Sequence, residues 1–327
     1  GLMGGSLAHC FKGKPNFHVI GHSPRAESVD KYKKLEVVDE ATTSMEEAAQ
    51  DADFIFLGVP VGNLEEYLSR LNELDLKPGC IITDVGSTKR SICEYAAKLQ
   101  WKDVYFIGGH PMTGSEQSGV EAAHAHLYEN AFYVLTPEPH TPDSVYQRLV
   151  ELIRHTGANI SRMGPANHDR VVGAISHLPH IIAATLVNQV AEYNEQDDLY
   201  RQLAAGGFRD FTRIASCDPI IWRDILTNNR TILLEMLEDW NRHLDRFIHL
   251  LQEADGPGIE QEFIQSNHFR NTLPEWRKGL LSSTYDLFVD VPDHPGMIGE
   301  VASKLGSASI NIKNVQVMEN RVAGHRP

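Results

Sequence analysis

The chain has 327 residues, of which 42% are hydrophobic, and a formal net charge of −14 from 44 acidic and 30 basic residues. Because an acidic chain without long basic runs binds nucleic acid and anionic membranes poorly, we expect neither as a partner. The four cysteines form no CxxC pair, which argues against a disulfide framework or a zinc knuckle and favours a cytoplasmic protein without a metal. No apolar run in the sequence approaches the ~18 residues needed to span a bilayer.

The first half of the chain alternates short apolar runs with polar, helix-like segments. The apolar runs are rich in Val, Ile and Phe, as strands are, and comprise FHVIG (17–21), DFIFLGVP (53–60), CIITDVG (80–86), VYFIGGHP (104–111), AFYVLTP (131–137) and ANISRM (158–163). Helices are predicted over 44–50, 63–74, 89–99 and 142–155. This alternation is typical of βαβ units and predicts an α/β, Rossmann-type domain with a parallel sheet over residues 1–165.

The sequence opens on GLMGGS, which matches the second half of the dinucleotide fingerprint GxGxxG. Gly1 and Gly4 supply its second and third glycines, with Leu2 and Met3 between them. We expect the strand and the first glycine to precede Gly1, and the helix that faces the phosphates to begin at Ser6. A tight turn between any strand and helix would also explain the glycines, but the βαβ pattern that follows favours a cofactor.

The residues after the next strand bear on which dinucleotide is bound. An NAD site has Asp or Glu about 20 residues after the glycines, where the carboxylate binds the ribose hydroxyls. In this chain HSPR (22–25) ends the strand, and the first acid is Glu27. Ser23 and Arg25 are suited to a phosphate on the ribose, as in NADP, and a solvated loop is the alternative. The choice between NAD and NADP stays open.

Three predicted strand ends carry residue types that suit chemistry, namely VPVGN (59–63), TDVGSTKR (83–90) and GGHPMTGSEQSG (108–119). In open α/β sheets, ligands bind beyond the carboxyl ends of the strands. His110, which we place just past its strand, is the best candidate for a general base because imidazole titrates near neutrality. The alternative is a histidine that is simply hydrogen-bonded in a loop.

After Pro165 the pattern becomes helical and apolar-periodic, over 167–194, 197–206, 217–228 and 229–254. We therefore predict a separate all-helical domain over 166–281. Its apolar faces carry more hydrophobic residues than one short bundle needs, which predicts a homodimer through these helices. Packing of the helices on each other within one chain is the alternative.

Two polar clusters lie in this helical part. Ser176 and His180 are four residues apart on one helix face. Arg209 and Arg213 are also four apart, so their guanidinium groups are suited to clamp one carboxylate-bearing ligand. Salt bridges to nearby acids are the alternative for the arginines. His177 and His180 lack a third ligand at metal-binding spacing.

The pattern changes again near Ser282. The stretch TYDLFVDVPDHPGMIGEVASKLGSASINIKNVQVME (284–319) predicts a strand, a Pro/Gly loop, a helix and a second strand. We therefore expect a third, small α+β domain over 282–327.

Taken together, the motifs resemble those of the prephenate dehydrogenase family of tyrosine biosynthesis, in its Gram-positive form with a C-terminal ACT regulatory domain. The strings that carry the resemblance run in order along essentially the whole chain and are GLMGGS, TDVGSTK, GGHPMTGSEQSGV, YENAFYVLTP, SHLPH, AAGGFRDFTRIASCDPIIWRDI and YDLFVDVPDHPG. The resemblance implies oxidative decarboxylation of prephenate to 4-hydroxyphenylpyruvate, with hydride transfer to NAD or NADP. The family favours NAD as the cofactor.

The resemblance also implies roles for particular residues. His110 would accept the hydroxyl proton of the substrate, and Ser87 would hydrogen-bond in the same region. The other substrate residues would be Arg213, Arg209, Glu116, His180, Ser176 and Thr113. The cofactor residues would be Gly1, Leu2, Met3, Gly4, Ser23, Arg25, Val59, Pro60 and Asp84.

In the last segment DHPGMIGEV resembles the ligand loop of ACT domains. This implies that L-tyrosine binds as a feedback inhibitor near Asp293, His294, Gly296 and Asn311. A complete ACT unit is βαββαβ, of which the sequence indicates only βαβ, so the ACT domain is partial.

Two other functions stay open. Arogenate dehydrogenase has the same fold and chemistry but takes a substrate with an amino group in place of the keto group. A non-catalytic, cofactor-binding amino-acid sensor would use the same domains. The joint presence of His110, Ser87 and Arg213 argues against the sensor, because a sensor needs no base.

Overall fold

The computed structural model describes residues 1–115, 117–273, 289, 291–292, 294–308, 310, 312 and 315. The chain divides into two compact units, Gly1–Leu281 and Ser282–Pro327. The first unit contains an α/β part followed by a helical part.

The strands of the α/β part are β1 (Ile20–His22), β2 (Glu40–Thr42), β3 (Phe54–Leu57), β4 (Ile81–Asp84), β5 (Tyr105–Pro111), β6 (Phe132–Pro137) and β7 (Asn159–Arg162). β1 and β2 pair in parallel, and the described part of the chain has a second sheet in the order β3-β4-β5-β6-β7. The predicted strands are confirmed with shorter bounds, and β2 is an additional strand. The expectation of a parallel sheet is wrong for one pair, because β6 runs antiparallel to β5.

The helices of the α/β part are α1 (Leu2–Phe11), α2 (Ala26–Lys34), α3 (Met45–Ala49), α4 (Leu64–Asn72), α5 (Arg90–Ala96) and α6 (Asp143–Arg154). The four predicted helices correspond to α3, α4, α5 and α6, and each is confirmed. The helix of the opening glycine motif begins at Leu2, not at Ser6, so Gly4 lies inside its first turn.

Both faces of the larger sheet are covered, because neighbouring residues along a strand point to opposite sides. On β4, Ile81 belongs to an apolar cluster with residues of α1 and α6. Its neighbour Ile82 belongs to a second cluster, with residues of α4 and α5. Ile107 and Phe106 of β5 divide between the two clusters in the same way. The sheet is therefore a rigid, buried support for the loops at its edge.

The helices of the second part are α7 (Pro165–Val172), α8 (Leu178–Asn194), α9 (Leu199–Gln202), α10 (Gly206–Thr212), α11 (Pro219–Asn228), α12 (Arg230–Gln252) and α13 (Gly256–Thr272). The predicted helix over 167–194 is interrupted by a π-helical turn, Gly173–His177. Such turns are frequent at functional sites. The predicted helix over 197–206 is reduced to the single turn of α9.

Among the described residues, one helical stretch, Pro165–Asn194, is long and apolar enough to cross a membrane by length and composition alone. The sequence-based expectation that no such run exists is therefore wrong for this stretch. The interior helix of a soluble protein meets the same criterion. Here the stretch contains the buried polar residues His168, Asp169 and His177, whose partners are described below.

In the unit Ser282–Pro327, the predicted helix is confirmed as α14 (Met297–Ser307). It begins after Gly296, whose φ of +99° lies in the left-handed region that favours glycine. His294 precedes this turn in the described part. Asp293 and Asn311 lie outside the described residues, as do most positions of the two predicted strands.

Candidate active site

His110 lies inside β5, one residue before its end, and not past the strand as expected. Its side chain is buried, and only 9% of the residue is exposed. The strand pairs with β4 on one side and β6 on the other, so the backbone of His110 is held on both sides. A rigid strand thus carries the candidate base.

A chain of short hydrogen bonds runs from His110 to a buried carboxylate. His110 Nδ1 lies 2.7 Å from His168 Nε2. His168 Nδ1 lies 2.7 Å from Asp169 Oδ1. Because a carboxylate accepts, His168 Nδ1–H donates to Asp169, which leaves His168 Nε2 as the acceptor for His110 Nδ1–H. The Nε2 atom of His110 is then unprotonated and able to accept a proton.

Burial lowers the pKa of His110 well below its usual value, and the charges of His168 and Lys89 lower it further. The imidazole is therefore neutral at pH 7. A neutral imidazole with a defined tautomer is the form that a general base requires.

The carboxylate of Asp169 also holds the start of α5. Its Oδ1 accepts the backbone N–H of Lys89 at 2.7 Å, and its Oδ2 accepts that of Arg90 at 2.9 Å. These amides belong to the first turn of a helix, where no helical acceptor is available and negative charge is favoured. Asp169, which lies on α7, thereby connects that helix to the start of α5.

Asp84 was expected at the cofactor, but its side chain lies inside the protein with 0% exposure. It forms an ion pair with Lys89, whose side chain is also 0% exposed. Its oxygens further accept the backbone N–H groups of Gly86 at 2.8 Å and Gly109 at 3.1 Å. The expectation is corrected: Asp84 connects the β4 loop to the strand residue before His110.

The helical part contributes an aromatic wall around His180. The ring of His180 stacks on Trp222, with centroids 3.5 Å apart and planes at 21°. Its Nδ1–H donates to the carbonyl oxygen of Ser176 at 2.7 Å, so Nε2 is the acceptor. Burial lowers the pKa of His180. Cys217 Sγ lies 3.9 Å from that Nε2.

Buried polar residues connect the surroundings of His110 with those of His180. Asn229 donates its side-chain N–H to the backbone oxygen of Asp169 at 2.9 Å and lies 3.1 Å from His177 Nδ1. His177 meets Trp222 edge-on at 6.0 Å between ring centroids. Burial lowers the pKa of His177 to about 4, so this ring is also neutral at pH 7. Contacts through Asn229, His177 and Trp222 therefore connect the surroundings of His110 with those of His180.

The two arginines differ in their surroundings. Arg213 begins a 3₁₀ turn, Arg213–Ser216, that packs against α8, the helix that carries His180. Arg209 donates its Nε–H to the carbonyl oxygen of Ala204 at 3.1 Å, so its side chain is directed to the preceding loop. α10, which carries Arg209, also packs against α8, so both arginines lie on segments that contact the helix of His180.

Ser87 and Thr113 follow the parallel strands β4 and β5, so both lie at the same edge of the sheet. Ser87 is half-buried in the loop between β4 and α5. Thr113 follows β5 and donates its hydroxyl to the carbonyl oxygen of Leu127 at 3.0 Å. Glu116 lies outside the described residues.

The glycines at the start of α1 leave room beside the helix. A Cβ atom at Gly1 or at Gly4 would meet no atom within 4 Å, whereas one at Gly5 would lie 2.9 Å from Ala123 Cβ. Close packing therefore occurs at Gly5 and not at Gly4. Gly58, at the end of β3, would place a Cβ 3.4 Å from Gly4 Cα. Open space next to first-turn amides fits the phosphates of a dinucleotide.

The other expected cofactor residues surround this helix start. Val59 is half-buried and Pro60 exposed, directly after β3. Ser23 is buried and Arg25 exposed, directly after β1. Val59 follows Gly58, which approaches Gly4 at the start of α1, where a Rossmann cofactor site is expected.

Sequence reasoning missed His168, Asp169, Lys89, Asn229 and Trp222. The string ANHDRV (166–171) resembles an ordinary polar helix start, and only the fold brings it to His110. The adjacent pair His168–Asp169, which follows the helix-starting Pro165, was a signal that could have been used. Acidic residues are favoured in the first turn of a helix. Within the described residues, no group of three or more His, Cys, Asp or Glu is arranged to hold a metal ion.

Comparison with known proteins gives two family matches that together span most of the chain. The model described as "Prephenate dehydrogenase, nucleotide-binding domain" matches residues 7–162. The model described as "Prephenate dehydrogenase, dimerization domain" matches residues 164–265.

Relatives and solved structures agree with these matches. The chain is 42% identical over 316 residues to the prephenate dehydrogenase of Lactococcus lactis subsp. cremoris, covering 96% of this chain and 86% of that one. It is 38% identical over 322 residues to that of Bacillus subtilis, covering 98% and 87%. A crystal structure of prephenate dehydrogenase from Aquifex aeolicus with hydroxyphenyl propionate and NAD+ superposes with a TM-score of 0.74 at 32% identity, covering 83% of this chain and 94% of that one.

A nucleotide-binding domain followed by a helical dimerisation domain defines an NAD-dependent oxidoreductase. Within that class, the chain belongs to the prephenate dehydrogenase family.

Proposed function

We propose that this chain oxidatively decarboxylates prephenate to 4-hydroxyphenylpyruvate, and that His110 is the base. The observation that carries the proposal is the hydrogen-bonded chain from Asp169 through His168, which leaves His110 Nε2 free to accept a proton. A binding module or sensor has no use for such a base. Prephenate-dependent formation of NADH by the purified chain tests the proposal.

His110 and the bound cofactor have separate roles in the reaction. His110 Nε2 takes the proton of the ring hydroxyl while the carbinol carbon loses hydride. NAD+, when bound at the start of α1, supplies the hydride acceptor. The bond to the ring carboxylate then breaks, CO₂ leaves, and its electron pair makes the ring aromatic as a phenolate, which takes the proton back from His110 Nε2. Because aromatisation favours the products, the protein mainly has to position the substrate and accept the proton.

The dicarboxylate substrate also needs cationic partners. We assign Arg213 to a substrate carboxylate, because its turn packs against the helix that carries His180. His180 and Trp222 form a flat wall against which the substrate ring can pack. Ser87 is assigned to the hydroxyl region beside His110. Relative turnover of prephenate and arogenate tests whether the pocket prefers the keto or the amino side chain.

Asp169→Asn is expected to lower kcat by about tenfold to a hundredfold, less than loss of the base itself. The amide does not hold the His168 tautomer as a carboxylate does, so His110 Nε2 is less often unprotonated. The loss of a nearby negative charge also lowers the pKa of His110. The acid limb of the kcat/KM profile should therefore move to lower pH, which a purely structural role would not produce. An unchanged limb would contradict this positioning role.

We also propose that the chain acts as a cytoplasmic homodimer through its helical part. The exposed apolar side chains of that part support a further copy as partner, among them Leu234, Leu251 and Phe263, each more than half exposed. The matched dimerization domain covers the same helices.

We further propose that residues 282–327 form an ACT-like unit through which L-tyrosine inhibits the enzyme. Gly296 at the start of α14 provides the kind of turn that lets a ligand approach helix amides. Gly296→Ala is expected to weaken tyrosine inhibition about threefold or more while kcat without tyrosine is unchanged, because the φ of +99° strains any side chain. Equal inhibition of the variant and the parent protein would place tyrosine elsewhere.

A further inference from the structure

We propose that the cofactor site of this chain also accepts NADP+, with Ser23 and Arg25 as ligands of a phosphate on the adenine ribose. This deepens the proposed function, because it concerns the cofactor range of the same site. The relevant residues lie at the carboxyl end of β1, where Rossmann domains bind that ribose.

The hydroxyl of Ser23 is fixed at the strand end. Only 7% of Ser23 is exposed, and its backbone N–H donates to the oxygen of Thr42 on the neighbouring strand at 3.3 Å. Its Oγ accepts the backbone N–H of Arg25 at 3.3 Å. Among the described residues no acceptor is found for its own O–H. This hydroxyl is therefore able to donate to a ribose substituent.

Arg25 brings an uncommitted positive charge to the same turn. It is exposed at the start of α2, and within the described part of the chain its guanidinium has no hydrogen bond or ion pair. The nearby carboxylate of Glu121 is paired with Lys31 at 2.8 Å. Glu27, the first acid after the strand, also acts on Lys31. A planar guanidinium without a carboxylate partner is suited to a phosphate.

A second arginine adds to the positive charge. Arg70 lies over the ring of Tyr67, 5.7 Å from its centroid, and Glu66 is 3.8 Å away as a weak partner. The same ring meets His22 at the end of β1, with centroids 6.2 Å apart. Burial raises the pKa of Tyr67, and the charges of Arg70 and Arg25 both oppose that rise. Arg70 and Arg25 therefore both contribute positive charge near the end of β1.

An NAD-specific site excludes NADP+ by placing a carboxylate where the extra phosphate would sit, which adds charge repulsion and removes a hydrogen-bond donor. Residues 22–26 contain no carboxylate. Ser23 can serve the free hydroxyl of NAD+ as well as a phosphate oxygen. The site therefore lacks the carboxylate that would restrict it to NAD+.

Binding of NAD+ and NADP+ to the full chain, measured by calorimetry without prephenate, tests the proposal. We expect NADP+ to bind at least as tightly as NAD+ at low salt, and its affinity to fall more steeply with added salt. Arg25→Ala should weaken NADP+ binding about tenfold and leave NAD+ binding nearly unchanged. Because the assay needs no turnover, a lack of dehydrogenase activity would not affect its result.

Two further variants complete the experiment. Ser23→Asp should reverse the preference by restoring a carboxylate that repels the phosphate. Lys34→Ala, at the exposed end of α2, removes a positive charge of the same helix and should leave the ratio of the two affinities unchanged. NADP+ binding tenfold weaker than NAD+ binding in the parent chain would overturn the proposal. So would an Arg25→Ala variant that loses both cofactors equally.

Discussion

Replacing His110 with alanine is expected to lower kcat for prephenate by about 10²–10⁴-fold, the usual range for loss of an acid–base group. The imidazole is neutral, buried and directed by His168, so the substitution removes the proposed acceptor of the hydroxyl proton. Steady-state kinetics with NAD+ gives kcat, and calorimetry gives the affinity for NAD+, which should change little.

His126→Ala is the matched control for this variant. His126 is an exposed histidine that pairs with Glu129 at 2.7 Å. Its removal should leave kcat unchanged. A His110→Ala variant that keeps the kcat of the control would show that the base lies elsewhere.

The pH dependence provides a second readout on His110. The base must be unprotonated, so activity falls when the pH drops through its pKa. Because burial and then nearby positive charge lower that pKa, the acid limb of the kcat/KM profile should lie below about 6.5, the usual value for histidine. A limb above that value would contradict the assignment.

Lys89→Met is expected to lower the free energy of unfolding by about 3–5 kcal/mol, as when one partner of a buried ion pair is removed. Asp84 would then be a buried carboxylate without its cation, although Gly86 and Gly109 would still donate to it. Urea unfolding of both proteins, followed by circular dichroism, measures the difference.

Lys77→Met is the matched control for the stability measurement. Lys77 pairs with Asp53 at 2.7 Å, but both side chains are largely exposed. Water screens this pair, so its loss should cost about 0–1 kcal/mol. Equal effects of the two substitutions would contradict a structural role for the buried pair.

Much of the α/β part follows from local sequence. The strands from Phe54 to Arg162 and the helices between them are confirmed, because buried parallel strands are short apolar runs and their helices are amphipathic. The direction of β6 was not predictable in this way. It depends on how the long segment after Pro111 returns to the sheet, which the apolar pattern of Phe132–Pro137 does not encode.

Only part of the candidate site could be predicted from the sequence. His110 and His180 stand in unusual motifs, and the structure brings both into one polar network. The partners that define their protonation were missed, because Asp169 and Asn229 meet them across different helices. The resemblance implied that Asp84 binds the cofactor, yet its side chain is buried and paired with Lys89, a pairing that no local pattern reveals.

The central claim is that the chain turns over prephenate with His110 as the base. The most direct measurement incubates the purified chain with prephenate and NAD+ and quantifies NADH and 4-hydroxyphenylpyruvate together. The account predicts equal amounts of the two products, and loss of both in the His110→Ala variant. NAD+ binding by a folded chain that leaves prephenate unconsumed would contradict it.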